Sequence, residues 1–250
     1  MRRKRVSNLQ ETEYTAAVHN RKPAVPTEEI LIPEEAVRDL ARVDLTGRPY
    51  HVVKRIIDVA ASVLGLAVLV LPFVLISAAI WLDNPGNILL AQYRVGRDGR
   101  LFRLYKFRTM HKDAPRNIPT AQLQDSHLHI TRVGRFLRST SLDELPQLFN
   151  VLRGDMSLVG PRPLIAEEEE IHRMRLRFGV YQLRPGITGL AQINGRDTVS
   201  PADKVRWDVK YLQRYGLLTD LRILAGTLPK IVDGEDIREG CAGQDNLKEK

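Results

Sequence analysis

The sequence predicts an α-rich α+β fold fixed to a membrane, and three observations carry that reading. Val59–Leu82 is a stretch of 24 residues without a charged side chain, broken by one proline. The turn dipeptide Asp98-Gly99 sits between two segments of alternating character. Beyond it, apolar residues recur at intervals of three and four, the spacing of helix faces.

Composition narrows the partners. The 250 residues can bury a core as one large domain or two small ones. Lys and Arg outnumber Asp and Glu by 38 to 30, and the net charge of +8 implies an acidic partner: nucleic acid, anionic lipid or a phosphorylated substrate. Helix-turn-helix, zinc and RNP signatures are absent and the apolar run argues the other way, so no nucleic-acid partner is expected. The single cysteine, Cys241, excludes an internal disulfide framework or cysteine zinc cluster and fits a reducing cytosolic setting. The six histidines lack metal-ligand spacing, and His127 and His129 read as alternating surface residues.

Residues 1–48 read as a basic, proline-containing tail: "MRRKRV" is a cationic cluster, and Pro23, Pro26 and Pro33 interrupt the rest. It is a solvated linker or an electrostatic tether to anionic lipid. Residues 49–85 hold the membrane segment, since a run of about 18 or more apolar residues reads as a membrane helix. Both of its flanks are basic, with Lys54 and Arg55 before it and Arg94, Arg97 and Arg100 among those after it. A span would strand one cationic flank on the far side. Pro72 removes a backbone donor and kinks the helix, so two arms could enter and leave one leaflet. Spanning and re-entry both remain open on these grounds.

In "ILLAQYRVGRDGRLFRLYKFRTM" a β-hairpin is expected, because both central positions of an Asp-Gly turn need positive φ. Phe102 and Leu104 should share one face and Arg103, Tyr105 and Phe107 the other. Short helices are expected over 132–139 and 143–152. A third follows in "EEEEIHRMRLRF", with Glu169 placed to pair with Arg173. In 203–215, Val205, Val209 and Leu212 form one stripe and Trp207, Tyr211 and Tyr215 another. In 217–229, Leu221, Leu224, Ala225 and Leu228 recur after a Thr219-Asp220 cap. Wide apolar faces beside basic residues suit amphipathic helices lying in the membrane surface, and plain core packing would give the same stripes.

The residues that carry chemistry are Asp143 and Glu144, adjacent acids set among Arg132, Arg135, Arg138 and Arg153. Carboxylates can attack phosphorus, giving an acyl phosphate that is itself a donor. Mg²⁺ suits such a site because it prefers oxygen ligands and bridges diphosphate oxygens. Arginine forks grip phosphate with paired hydrogen bonds. A plain acidic helix start, favoured by the helix dipole, is the structural alternative.

"KFRTM" (106–110), "RSTSLDELPQLFNVLRGDMSLVGPRP" (138–163) and "LRPGITGLAQINGR" (183–196) follow the proline-broken segment in this order. The set resembles the bacterial sugar transferase family, the monotopic phosphoglycosyl transferases that start exopolysaccharide and glycoconjugate assembly. The resemblance runs from Lys54 to about Thr227. It implies a monotopic protein on the cytoplasmic face of the inner membrane, with a re-entrant helix kinked at Pro72 and a catalytic domain over 86–233. Residues 234–250 are left as a charged tail. It also implies a UDP-sugar and a polyprenyl phosphate, usually undecaprenyl phosphate, as substrates, with Mg²⁺ as cofactor. By the same resemblance, Asp143 matches the nucleophile and Glu144 the partner that holds the metal. Arg138 matches an arginine that receives the lipid phosphate, and Pro161, Arg162 and Pro163 a turn near the nucleotide. Lys106, Arg108, Arg184 and Gln192 are candidates for phosphate or nucleotide contacts. Relatives often carry Ser-Pro at the helix break, whereas this chain has Leu71-Pro72 with Ser77 five residues on. A noncatalytic membrane scaffold would need the basic faces but not the acidic pair. Neither the sugar nor the oligomeric state, a homo-oligomer included, can be read from the sequence.

Overall fold

The computed structural model describes residues 49–114, 129–195 and 200–233. The expected tails 1–48 and 234–250, with Cys241, lie outside the described residues, as do His127 and Arg196.

Two helices open the fold, α1 (Tyr50–Val68) and α2 (Val70–Asp83), bent by 62° at Leu69. The break therefore lies three residues before Pro72, not at it. Pro72 has no N–H for the Val68 carbonyl and its ring crowds that group, so one continuous helix cannot form. In the first turn of a new helix the missing N–H costs nothing, because the first N–H groups have no acceptor there. The Ser77 hydroxyl donates to the Phe73 carbonyl at 2.6 Å, one turn beyond the break. Among the described residues no single helix is long and apolar enough to cross a membrane, but this bent pair meets the test together.

α1 is amphipathic with its polar face inward. Lys54, Asp58 and Ser62, each a turn apart, are buried, while Val52, Ile56, Leu64 and Val68 are more than half exposed. The buried stripe docks on the rest of the fold. Lys54 Nζ and the Tyr50 hydroxyl donate to Asp220 Oδ2 at 2.5 and 2.6 Å, and the Tyr211 hydroxyl donates to Oδ1 at 2.7 Å. Asp58 Oδ1 accepts from the Leu158 N–H at 3.1 Å. An apolar surface this large, turned outward, needs a nonaqueous neighbour.

The hairpin pairs β1 (Leu89–Val95) antiparallel with β2 (Leu101–Phe107). Asp98 and Gly99 both take positive φ, +57° and +73°, as the turn chemistry requires. Phe102 and Leu104 face inward against Val151 and Met156. Phe107, expected on the outer face with Arg103, is buried instead. At that end the outer face is covered by Ile80 of α2 and by Leu137. The hairpin is packed at its turn, where Val95, Gly96 and Gly99 are buried, and exposed along one face of its middle, at Ala91, Tyr93 and Arg103.

After the hairpin come α3 (Arg132–Ser139), a 3₁₀ turn (Leu142–Glu144) and α4 (Gln147–Arg153). The single helix expected over 143–152 is split because Pro146 cannot donate to the Leu142 carbonyl and acts as the start of α4. Arg55 closes the other end of α4, donating to the carbonyls of Val151 and Leu152 at 2.6 and 2.9 Å. Strand β3 (Ser157–Val159) pairs in parallel with β4 (Gly186–Thr188). Between them lies α5 (Glu169–Arg177), where Glu169 and Arg173 form the expected ion pair at 3.2 Å.

The short α6 (Leu190–Ile193) leads to α7 (Pro201–Gln213) and α8 (Leu217–Asp233). Both stripes of α7 enter the core except at Trp207, which is half-buried with Lys210 Nζ 4.6 Å over its ring. Val205 and Val209 pack with Ile171, Met174 and Phe178, and Tyr211, Leu212 and Tyr215 pack with Val159, Leu183 and Ile223. α7 is thus a core helix, not a surface one. α8 differs: Leu217, Leu218, Leu221 and Leu228 are exposed, while Asp220 and Ile223 point inward. Asp220 is therefore not a cap but the buried acceptor that ties α1 to α7 and α8.

Candidate active site

The acidic pair is placed by a sharp reversal after α3. Ser141 adopts φ +57°, ψ 16°, a left-handed conformation that a side-chain-bearing residue takes only under constraint. The following 3₁₀ turn has three residues per turn, so Asp143 and Glu144 leave it about 120° apart. Both are buried, at 8% and 7% exposure. Burial of two adjacent carboxylates demands cations. Glu144 Oε1 accepts from Arg162 Nη1 at 3.2 Å and lies 3.5 Å from Lys106 Nζ. Lys106 follows Phe102 and Leu104 on the inward face of β2, which is why a strand lysine reaches a buried acid.

Arg138 stands in the last turn of α3, and its Nε donates to the Thr109 hydroxyl at 2.8 Å. The Thr109 carbonyl accepts from the Thr131 N–H at 3.0 Å. A Cβ at Gly134 would lie 2.0 Å from the same carbonyl oxygen, so only glycine lets α3 settle there. "KFRTM" thus supplies both a cation for Glu144 and the seat of α3.

The Pro161-Arg162-Pro163 turn is held from two sides. The ladder of β3 and β4 continues into it, with Gly160 N–H donating to the Thr188 carbonyl and Gly186 N–H to the Pro161 carbonyl, both at 2.9 Å. The two backbones run so close that a Cβ at Gly186 would sit 2.0 Å from the Gly160 nitrogen. This explains why "GPRP" and "PGITG" occur together. From the other side, Arg175 Nη1 donates to the Arg162 carbonyl at 2.8 Å. Arg175 is itself held by Asp208, through Nε at 2.9 Å and Nη2 at 2.7 Å. Burial raises the Asp208 pKa against the pull of Arg175; burial lowers that of the guanidinium, but Asp208 and Tyr181 together raise it above its ordinary value.

The remaining expected residues lie elsewhere. An Arg108 Nη2 hydrogen bond to the Asn84 carbonyl ties the loop between α2 and β1. Arg184 Nε donates to the Gly154 carbonyl at 3.0 Å. Gln192 is buried, and its carboxamide makes no hydrogen bond among the described residues. None of these contacts reaches Glu144.

Arg175 and Asp208, which brace the Pro161–Pro163 turn, are residues that motif reading passed over. Their signal was a charge on an apolar helix face: Arg175 lies four residues after Ile171, and Asp208 three after Val205.

Among the described residues no group of three or more His, Cys, Asp or Glu side chains could hold a metal by itself. Mg²⁺ commonly takes one or two carboxylates and draws its other oxygens from water and substrate phosphates. The Asp143–Glu144 pair fits that kind of site.

Comparison with known proteins agrees with this architecture. The family model described as bacterial sugar transferase matches residues 49–234. A UDP-glucose:undecaprenyl-phosphate glucose-1-phosphate transferase of Caulobacter vibrioides is 44% identical over 189 residues, 72% of this chain and 69% of that protein. The exopolysaccharide production protein ExoY of Sinorhizobium fredii is 39% identical over 193 residues, 71% of this chain and 84% of that protein. A UDP-N-acetylgalactosamine-undecaprenyl-phosphate N-acetylgalactosaminephosphotransferase of Aeromonas hydrophila is 38% identical over 192 residues, 74% of this chain and 45% of that protein. The family match takes in the bent helix pair, the acidic pair and the paired glycine-proline turns alike, and the chain belongs to the bacterial sugar transferase family.

Proposed function

We propose that this chain transfers a sugar 1-phosphate from a UDP-sugar to undecaprenyl phosphate, releasing UMP, as a first step in exopolysaccharide or glycoconjugate assembly. The observation that carries the reading is the buried acidic pair. Glu144 is engaged by two cations, Lys106 and Arg162, and Asp143 is buried beside it on the preceding position of the same 3₁₀ turn.

An Asp143 carboxylate oxygen attacks the β-phosphorus of the UDP-sugar, forming an acyl phosphate as the bond to the bridging oxygen breaks and UMP leaves. An oxygen of the lipid phosphate then attacks the same phosphorus. The bond to Asp143 breaks, which restores the carboxylate and leaves the sugar joined to the lipid through a diphosphate. Lys106 and Arg162 hold Glu144 in place and add positive potential where phosphate charge gathers. Arg138, oriented through Thr109, receives the lipid phosphate. Glu144 is the residue that would hold Mg²⁺, which when bound would neutralise diphosphate charge.

The same reading sets the protein on the cytoplasmic face of the inner membrane. The exposed faces of α1 and α2 enter one leaflet and return at the 62° bend, and the outer leucines of α8 rest at the interface. Re-entry keeps both basic flanks on one side.

The test is UMP release by membranes carrying the full chain, with Mg²⁺, undecaprenyl phosphate and a panel of UDP-sugars. UDP-glucose comes first, because the Caulobacter relative is named for glucose. No UMP with any UDP-sugar would refute the proposal. Arg138→Ala is expected to slow lipid-dependent turnover by about 10²-fold, the scale of a lost positioned charge. UMP formation before lipid addition should fall far less. Equal loss in both half-reactions would remove Arg138 from the lipid step.

A further inference from the structure

A second group of cations gathers at the foot of α1, with no part in the contacts of Glu144. Arg97, from the hairpin turn, lies with Nη1 3.3 Å from His51 Nε2, and His51 Nδ1 lies 3.3 Å from the Tyr215 hydroxyl. Arg184 and Arg55 meet at Gly154: Arg184 Nε donates to its carbonyl, and a Cβ on that glycine would stand 3.5 Å from Arg55 Nη2. Burial lowers the Arg184 pKa, and the charges of Arg97 and Arg55 lower it further, so these guanidinium groups act on one another. Arg97 Nε is out of water without a hydrogen bond, and the carboxylate facing it, that of Asp98, is 3.6 Å away. The first turn of α1 adds the positive end of a 19-residue helix and contains no acid. Asp58, the nearest acid along α1, spends one carboxylate oxygen on the Leu158 N–H.

Positive groups held together in this way call for an anion. The setting says which kind. Val52 and Val53 flank His51 on α1, and Leu217 and Leu218 follow Tyr215, and all four are exposed. Cations bordered by outward-facing aliphatic side chains match the boundary where lipid phosphate meets acyl chain. We propose that Arg97, oriented by His51, together with Arg55 and Arg184 forms a second anion site that takes the phosphate of an anionic phospholipid headgroup and fixes the depth and tilt of α1. This rests on the membrane placement proposed above.

The test uses the full chain in neutral detergent, titrated separately with short-chain phosphatidylglycerol, short-chain phosphatidylcholine and inorganic phosphate, with lipid retention read by native mass spectrometry. One phosphatidylglycerol should be retained in preference to phosphatidylcholine. Arg97→Glu should weaken that retention by about 10-fold or more, and Arg97→Lys should keep most of it. Unchanged retention by Arg97→Glu would overturn the site. Competition by inorganic phosphate at the affinity of the lipid would overturn the lipid assignment. Flotation with phosphatidylcholine vesicles separates this from the membrane reading. Wild type and Arg97→Glu should both float, whereas failure of both to float would refute the membrane placement itself.

Discussion

Asp143→Asn is expected to lose UMP release by at least about 10³-fold, more than 4 kcal/mol of transition-state stabilisation. An amide oxygen cannot form the acyl phosphate, so no alternative nucleophile of equal standing replaces it. The fold should tolerate the change. Asparagine has nearly the same shape, and Glu144 keeps its contacts with Lys106 and Arg162. Thermal unfolding should therefore move little while activity collapses. Glu144→Gln should behave differently, lowering activity and shifting its Mg²⁺ dependence to higher concentration. Near-normal UMP release by purified Asp143→Asn would remove the nucleophile from the account.

Arg175→Met is expected to damage both stability and activity. It leaves the Asp208 carboxylate at 2% exposure without its cation, and breaking a buried pair in this way costs about 3–5 kcal/mol. It also strips the Arg162 carbonyl of a donor. The double variant Arg175→Met, Asp208→Leu separates the two effects. Replacing both charges with apolar groups should return most of the stability. UMP release should stay low, because the Pro161–Pro163 turn has lost one of its two supports and Arg162 no longer presents to Glu144 in one geometry. Denaturant unfolding and kcat measured on the same preparations would show the split. Full activity in the stable double variant would reduce the Arg175–Asp208 pair to a core element with no bearing on the site.

How much of this was legible in the sequence depended on whether a signal was local. The Asp98-Gly99 turn, helix α3 and the Glu169–Arg173 pair follow from chemistry within a few residues, and each formed as expected. Local rules also said that Pro72 and Pro146 would interrupt helices, but not on which residue the break would fall. At Pro72 it fell at Leu69, since a proline is harmless in a first turn. At Pro146 it left a 3₁₀ turn that now carries the acidic pair. The long-range partners were not legible. Lys54 finds Asp220 across 166 positions, and Arg175 finds Asp208 across 33. Strands of three residues, such as β3 and β4, are too short for periodicity to announce their pairing.

The candidate site divides along the same line. Asp143, Glu144, Lys106 and Arg162 were named from motifs, and the structure brings them into one cluster. Arg108, Arg184 and Gln192 came from the same kind of reading, and their contacts lie elsewhere. A basic residue in a motif announces charge but not direction. Lys106 could be placed because strand alternation sets it on the inward face. Nothing comparable orients the guanidinium of Arg184 before the fold brings Gly154 to it.

The central claim is that a phosphosugar passes through Asp143, and single-turnover labelling tests it most directly. Purified full-length protein is mixed with Mg²⁺ and a UDP-sugar labelled at the β-phosphorus, without any lipid phosphate. The account predicts UMP in an amount approaching that of the enzyme, with the label on the protein, removable by undecaprenyl phosphate and absent in Asp143→Asn. A protein that stays unlabelled, and forms UMP only once the lipid phosphate is added, would contradict it and point to direct transfer between the two substrates.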